Sequence, residues 1–192
     1  MIPAIEHFKE YLTNVHHMDA DSFELCTGYL EVAEVNKGDY LIREGQRCDH
    51  VFYIDSGLFR IFYLKDGIEV NTCFCTENSI TSSFESFVSR NASSQSIQAL
   101  ENASVVKISY DHLKKLYAIS PAWQSLGLVM TEKECLRLSY RTTSLSFETA
   151  SEKYKTLLEN EPELLLRVPI QHIASYLGVT RETLSRIRSK FN

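Results

Sequence analysis

The spacing of apolar residues changes character several times along the 192 positions of the chain. Ahead of Glu31, Ile5, Phe8, Leu12 and Val15 recur at helical spacing, with no glycine before Gly28, which predicts helix. From about Glu31 the texture shortens. Runs such as Tyr40-Leu41-Ile42, Val51-Phe52-Tyr53-Ile54 and Phe59-Arg60-Ile61-Phe62-Tyr63 are rich in aromatic and β-branched residues. Lys37-Gly38-Asp39, Asp55-Ser56-Gly57 and Lys65-Asp66-Gly67 supply turn chemistry between them. Many short strands, ending near Val105-Val106-Lys107-Ile108, predict an antiparallel jelly roll of roughly eight strands. Inside it, residues 79–96 hold nine Ser or Thr among 18, either a long solvated loop or the lining of a pocket.

Helical spacing returns after Pro121, a residue suited to a first turn. Ala122, Leu126, Val129, Lys133, Leu136, Tyr140 and Thr143 recur at alternating steps of four and three. Three such heptads point to a seam between two copies, although packing on the chain's own strands would give a similar stripe. Lys133 would set the register of such a seam. Thr142, Thr143, Ser144 and Ser146 are poor in helix interiors and good as caps, so a hinge is expected there. Phe147, Ala150, Tyr154, Leu157 and Leu158 mark a further amphipathic helix, closed by Asn160-Glu161-Pro162.

The last two dozen residues carry the most specific pattern. Ile170, Ile173, Ala174 and Leu177 form one apolar stripe, Gly178 follows where a left-handed cap is wanted, and Thr180 is placed to cap a second helix from Arg181. Helix, short glycine turn, helix is the helix-turn-helix layout. Counted at the helical angle per residue from Arg181, Leu184, Ile187 and Phe191 fall together on one narrow face. Arg181, Ser185, Ser189, Glu182 and Arg186 fall on the opposite face by the same count. The polar face is free of hydrophobes. Arg matches guanine O6 and N7, Glu accepts from cytosine N4, and Ser serves a base or a phosphate. Arg181, Glu182 and Arg186 are therefore candidates for base contact, Ser185 for a base or a phosphate, and Arg188, Lys190, Ser175 and Tyr176 for the phosphate backbone.

Charge modifies this picture in one respect. The chain carries −5 overall, which argues against nucleic acid until its distribution is seen. Residues 167–192 hold Arg167, Arg181, Arg186, Arg188 and Lys190 against Glu182 alone, a basic module on an acidic body. Apolar content of 44% and charged content of 23% suit a globular protein and exclude wholesale disorder. No long apolar run or secretory signal is present, so a cytoplasmic chain with reduced thiols is expected.

On these residues the chain resembles the bacterial Crp/Fnr superfamily of transcription regulators over essentially its whole length. Val35-Asn36-Lys37-Gly38-Asp39, Arg43-Glu44-Gly45 and Phe52-Tyr53-Ile54-Asp55-Ser56-Gly57 are similar to the family's cyclic-nucleotide-binding β-roll. Gly178-Val179-Thr180-Arg181-Glu182-Thr183-Leu184-Ser185-Arg186-Ile187 is similar to its DNA-reading helix. The resemblance implies an α+β chain: a sensor β-roll over 1–120, a dimerisation helix over 121–143 and a helix-turn-helix domain over 144–192. It implies double-stranded DNA, a second copy of the chain, RNA polymerase and a small-molecule effector as partners, with no membrane and no cofactor. The family's wing is not expected after the recognition helix, because the chain ends six residues beyond Arg186.

In family members that hold a cyclic nucleotide, a Gly-Glu pair and an Arg-Ser or Arg-Thr pair line the pocket. Here those positions fall at Ser82-Ser83 and Ser93-Ser94. A buried phosphate needs a cation or several N–H donors, so tight cyclic-AMP binding is not expected. Ser82, Ser83, Ser93, Ser94 and Gln95 would suit a neutral polar ligand or water, and Arg90 is the nearest substitute cation. Cys73 and Cys75 share a strand face, but Cys26, Cys48 and Cys135 are scattered, which does not suit a four-thiolate cluster. Adjacent His16 and His17 diverge on a helix, and no metal site is expected. Two other classes remain: a dimeric sensor or scaffold that does not read DNA, and a cupin-like jelly-roll enzyme. The latter is disfavoured by the single histidine, His50, between Glu31 and Ile108.

Overall fold

The computed structural model describes residues 2–191. The outer ends of the first and last expected domains, Met1 and Asn192, lie outside the described residues. The chain forms two compact units. One comprises residues 1–61 and 74–131, the other residues 62–73 and 132–192.

In the first unit the leading segment is α1 (Pro3–His16), α2 (Ala20–Glu24) and a short 3₁₀ turn (Thr27–Tyr29). Eight strands follow along the described chain, with the facing ends of β4 and β5 belonging to the second unit: β1 (Glu31–Val35), β2 (Tyr40–Ile42), β3 (His50–Ser56), β4 (Phe59–Lys65), β5 (Ile68–Cys75), β6 (Ser79–Thr81), β7 (Ser96–Ala99) and β8 (Ala103–Ser109). They make two four-stranded sheets, β1-β8-β3-β6 and β2-β7-β4-β5. β8 pairs antiparallel with β1 (Val32 opposite Val106) and with β3 (Tyr53 opposite Val106). Phe52, Tyr53 and Ile54 are all buried, which alternation on a single covered face would not allow. Part of the second cover is α1: Phe8 lies 4.9 Å and Tyr11 5.3 Å from the Tyr53 ring, measured between centroids.

The serine-rich stretch is neither a plain loop nor an open lining. It holds β6 and a six-residue helix, α3 (Phe84–Ser89), whose Ser86 is buried. The Ser86 hydroxyl accepts from Cys48 N–H at 2.9 Å and donates to Asn91 O at 2.5 Å. After β8, α4 (Tyr110–Ile119) starts at Ser109, whose side chain accepts from His112 N–H. Then α5 (Pro121–Phe147) runs for 27 residues. Its first turns are anchored by Trp123, buried, with Nε1–H donating to Ser22 O at 2.8 Å.

The hinge expected at Thr142–Ser146 does not exist, because α5 continues to Phe147. The hydroxyls that would have capped a break instead donate along the helix, Thr142 to Leu138 O and Ser146 to Thr142 O, at 2.9 and 2.8 Å. The break comes at Glu148–Thr149. There Thr149 and Glu152 form a reciprocal capping box that starts α6 (Ala150–Asn160).

The second unit joins the far part of α5 and α6 to α7 (Pro162–Arg167), α8 (Ile170–Leu177) and α9 (Arg181–Arg188). Its core is Tyr154, Leu157, Leu164, Val168, Ile173, Ala174, Leu177, Leu184 and Ile187, all buried. Residues 62–73, the facing ends of β4 and β5, belong to it as well. They are joined at Asp66-Gly67, whose φ values of 53° and 79° are those of a tight primed hairpin turn.

Among the described residues no helix is long and apolar enough to cross a membrane.

Candidate nucleic-acid interface

The helix-turn-helix is assembled from local signals. α8 buries Ile173, Ala174 and Leu177, while Ile170 at its start is only half-covered. Gly178 ends it at φ 73°, and its N–H reaches Ala174 O and Ser175 O. Nothing would obstruct a side chain there, so the left-handed backbone alone calls for glycine. Thr180 then accepts from Thr183 N–H at 3.2 Å and starts α9.

Along α9, Leu184 and Ile187 are buried and Arg181, Glu182, Ser185 and Arg186 are exposed, as the periodicity predicts. The helix closes at Arg188, so Ser189 and Lys190 stand in the following turn, both exposed, and Arg188 is half-covered. Phe191 keeps its ring 5.5 Å from Tyr154 and is 38% exposed. The Glu182 carboxyl is held below its usual range, first by its own backbone N–H and then by the Thr180 hydroxyl, with Arg181 and Arg186 adding in the same direction. It is therefore an ionised acceptor at neutral pH. Arg186 rests one nitrogen on Thr183 Oγ1 at 3.1 Å.

Ser175 and Tyr176, expected on the phosphate backbone, have other partners inside the second unit. The Ser175 hydroxyl donates to Glu69 O at 2.8 Å and accepts from Asn71 N–H at 3.0 Å. Tyr176 is half-covered, with the Arg141 guanidinium 4.2 Å over its ring and donating to its carbonyl at 2.7 Å. Sequence reasoning could not see these pairs, because Ser175 is 104 and 106 residues from its β5 partners and Tyr176 is 35 from Arg141.

On α5 the apolar stripe divides. Leu126 is buried, so it is not part of any free seam. Beyond it Leu136, Tyr140 and Phe147 are exposed, Tyr140 and Phe147 by 73% and 83%. Together with Val129 and Thr143 they fall within about 60° on the helix surface.

In the β-roll the expected pocket residues bond mainly to one another. Ser83 and Ser93 hydroxyls meet at 2.7 Å, Ser93 Oγ donates to Gln95 O at 2.7 Å, and Gln95 Nε2 reaches Ser83 at 3.4 Å. Ser82 donates to His50 O and Ser94 to Glu85 Oε2. Arg90 caps α3 in the left-handed region and spends its guanidinium on Cys48 O, Phe87 O and Asp49, stacked 3.9 Å over Tyr110.

Residues 32–120, which contain this roll, match the cyclic nucleotide-binding domain family. The chain is 28% identical to the transcriptional activator protein Anr of Pseudomonas protegens, over 82% of this chain and 68% of that protein. FixK2 from Bradyrhizobium japonicum is similar in structure at TM-score 0.74 and 22% identity, covering 84% of this chain and 83% of that one. A Crp/Fnr-family regulator from Eubacterium rectale matches at TM-score 0.74 and 17% identity, covering 95% and 87%. The architecture is that of a cyclic-nucleotide-binding-type sensor fold carrying a C-terminal helical module. In sequence and in structure the chain is thus similar to transcription regulators of the Crp/Fnr type.

Proposed function

We propose that the protein is a sequence-specific DNA-binding regulator that reads a palindromic site as a homodimer. The observation that carries this reading is the face of α9, where Arg181, Glu182, Ser185 and Arg186 stand in solvent above a buried apolar face. That surface has the donors and the acceptor needed for base edges, and Arg188 and Lys190 flank it for phosphates. The exposed stripe on α5 supports a two-fold partner of the same chain, which would set two recognition helices about 34 Å apart, one turn of DNA. RNA polymerase is the partner such a regulator would act on.

The β-roll is proposed to hold no cyclic nucleotide tightly. Its serines are hydrogen-bonded within the fold, and Arg90 is committed to Asp49 and to carbonyls, so a cyclic phosphate would have to displace those partners to be neutralised. An effector, if the roll takes one, is then neutral and polar.

Selection of bound duplexes from a random pool, followed by salt titration, tests the reading. Phosphate contacts require log affinity to fall steeply with log salt. Arg186→Ala should weaken the selected site by ~1–3 kcal/mol and leave random duplex nearly unchanged. Equal losses on both would make Arg186 a phosphate ligand, and no salt-sensitive binding at all would leave a sensor or scaffold.

A further inference from the structure

Two residues of the second unit are held in a way that reading DNA with α9 does not require. Ser175, on the first helix of the motif, places its hydroxyl between backbone groups of β5, donating to Glu69 O and accepting from Asn71 N–H. Asn71 is 0% exposed, and both its Nδ2 and its Oδ1 are buried without a hydrogen-bond partner. An amide in that state has given up water and gained nothing, whereas an apolar side chain of the same size would carry no such penalty. The strand end is thus attached to α8 by two good hydrogen bonds and weakened by an unsatisfied amide beside them. On the α5 side the same helix is held by Arg141, which donates to Tyr176 O, stacks on its ring, and has its own Nε buried without an acceptor.

We infer that the β4–β5 hairpin is a releasable latch on the helix-turn-helix. Docked, it occupies the Ser175 hydroxyl and fixes α8. Released, it hydrates the Asn71 amide, which offsets part of the cost of the two lost bonds, and uncovers the side of α8 that β5 occupies. The first helix of such a motif crosses the DNA backbone, so a strand end seated on it competes with that contact. Both strands straddle the boundary between the units, at Ile61–Phe62 and at Cys73–Phe74. A change in the roll's β4 and β5 would therefore reach the latch along unbroken chain. The inhibitory consequence rests on the DNA-reading proposal. The latch itself does not.

The test compares Ser175→Ala and Asn71→Leu in the full chain by amide hydrogen exchange over residues 66–73 and by binding to a duplex selected from a random pool. Ser175→Ala should speed exchange of the Asn71 amide and tighten DNA binding, each by about 3- to 10-fold, the worth of one ordinary hydrogen bond once rehydration of the Asn71 amide offsets the other. Asn71→Leu should shift both in the opposite direction. Unchanged exchange in Ser175→Ala overturns the latch, and that variant decides alone if Asn71→Leu does not fold. Faster exchange with weaker DNA binding overturns its inhibitory role and makes Ser175 a phosphate ligand. If the wild-type chain binds no duplex, the DNA reading fails, while opposite exchange shifts in the two variants would still support the latch and shifts in the same direction would overturn it.

Discussion

Leu184 is the residue on which the exposed polar face of α9 physically stands. It is 0% exposed, shares its core with Leu157, Ile173, Leu177 and Ile187, and lies between Arg181 and Arg186 along α9. Truncation to alanine removes most of its apolar surface from that core and leaves a cavity that short helices with fixed caps can close only in part. Such a change costs about 3–5 kcal/mol at a wholly buried leucine. The second unit has about 70 residues, and at the usual stability per residue it has only about 4–10 kcal/mol to lose. Leu184→Ala should therefore bring α8 and α9 close to local unfolding at 25 °C. The assay is native-state hydrogen exchange in rising urea on the full chain, following amides of α8 and α9 against those of β8. The opening free energy of the two helices should fall by about 3 kcal/mol or more while β8 stays unchanged. Ser185→Ala, the exposed neighbour, should change it by less than about 0.5 kcal/mol. A loss below about 1 kcal/mol in Leu184→Ala, or an equal loss in Ser185→Ala, would refute the placement of the core under the reading face.

Two further outcomes follow from His50 of the β-roll and from the thiols of Cys26 and Cys135. Burial, followed by the charge of Lys107, lowers the His50 pKa against the opposing pull of Glu31 and Asp49. Between that lowered value and the unfolded value of about 6.5 the unfolded chain binds more protons, so stability falls as pH drops from about 7 toward 5. His50→Gln should flatten that slope in urea midpoints, and an unaltered slope would remove His50 as its source. Burial pushes the Cys26 thiol up to about 12, whereas Cys135 is exposed on α5 and off the apolar stripe. Iodoacetamide at pH 8 should alkylate Cys135 in the native protein and Cys26 only after denaturation, and equal rates would contradict the burial of Cys26.

The elements that could be read in advance are those whose reasons lie within a few residues of each other. Gly178 and Thr180 fix the turn and the start of α9 by backbone geometry and one hydroxyl, and both were legible. The Asp66-Gly67 hairpin turn and the eight short strands were legible for the same reason. The errors came where a residue had two local options or a distant partner. Ser and Thr at 142–146 can cap a break or donate to the carbonyl a turn back, and only the packed helix decides between them. The helix inside the serine-rich stretch depends on Ser86 meeting Cys48 across the fold. Leu126 falls on the heptad stripe by spacing alone, and only its burial in the folded chain takes it out of the seam. At the candidate site the exposed face of α9 was readable to the residue, while the partners of Ser175 and Tyr176, contributed by β5 and α5, were not.

That the second unit recruits residues 62–73 from the middle of the chain has a practical result for anyone dividing this protein. No single cut releases that half whole. A fragment beginning near Glu132 would keep every basic residue of the exposed α9 face yet expose the side of α8 that Asn71 and Glu69 cover. Grafting that fragment onto a foreign sensor would transfer the address without the strand pair that, on the latch proposal, governs when it is used.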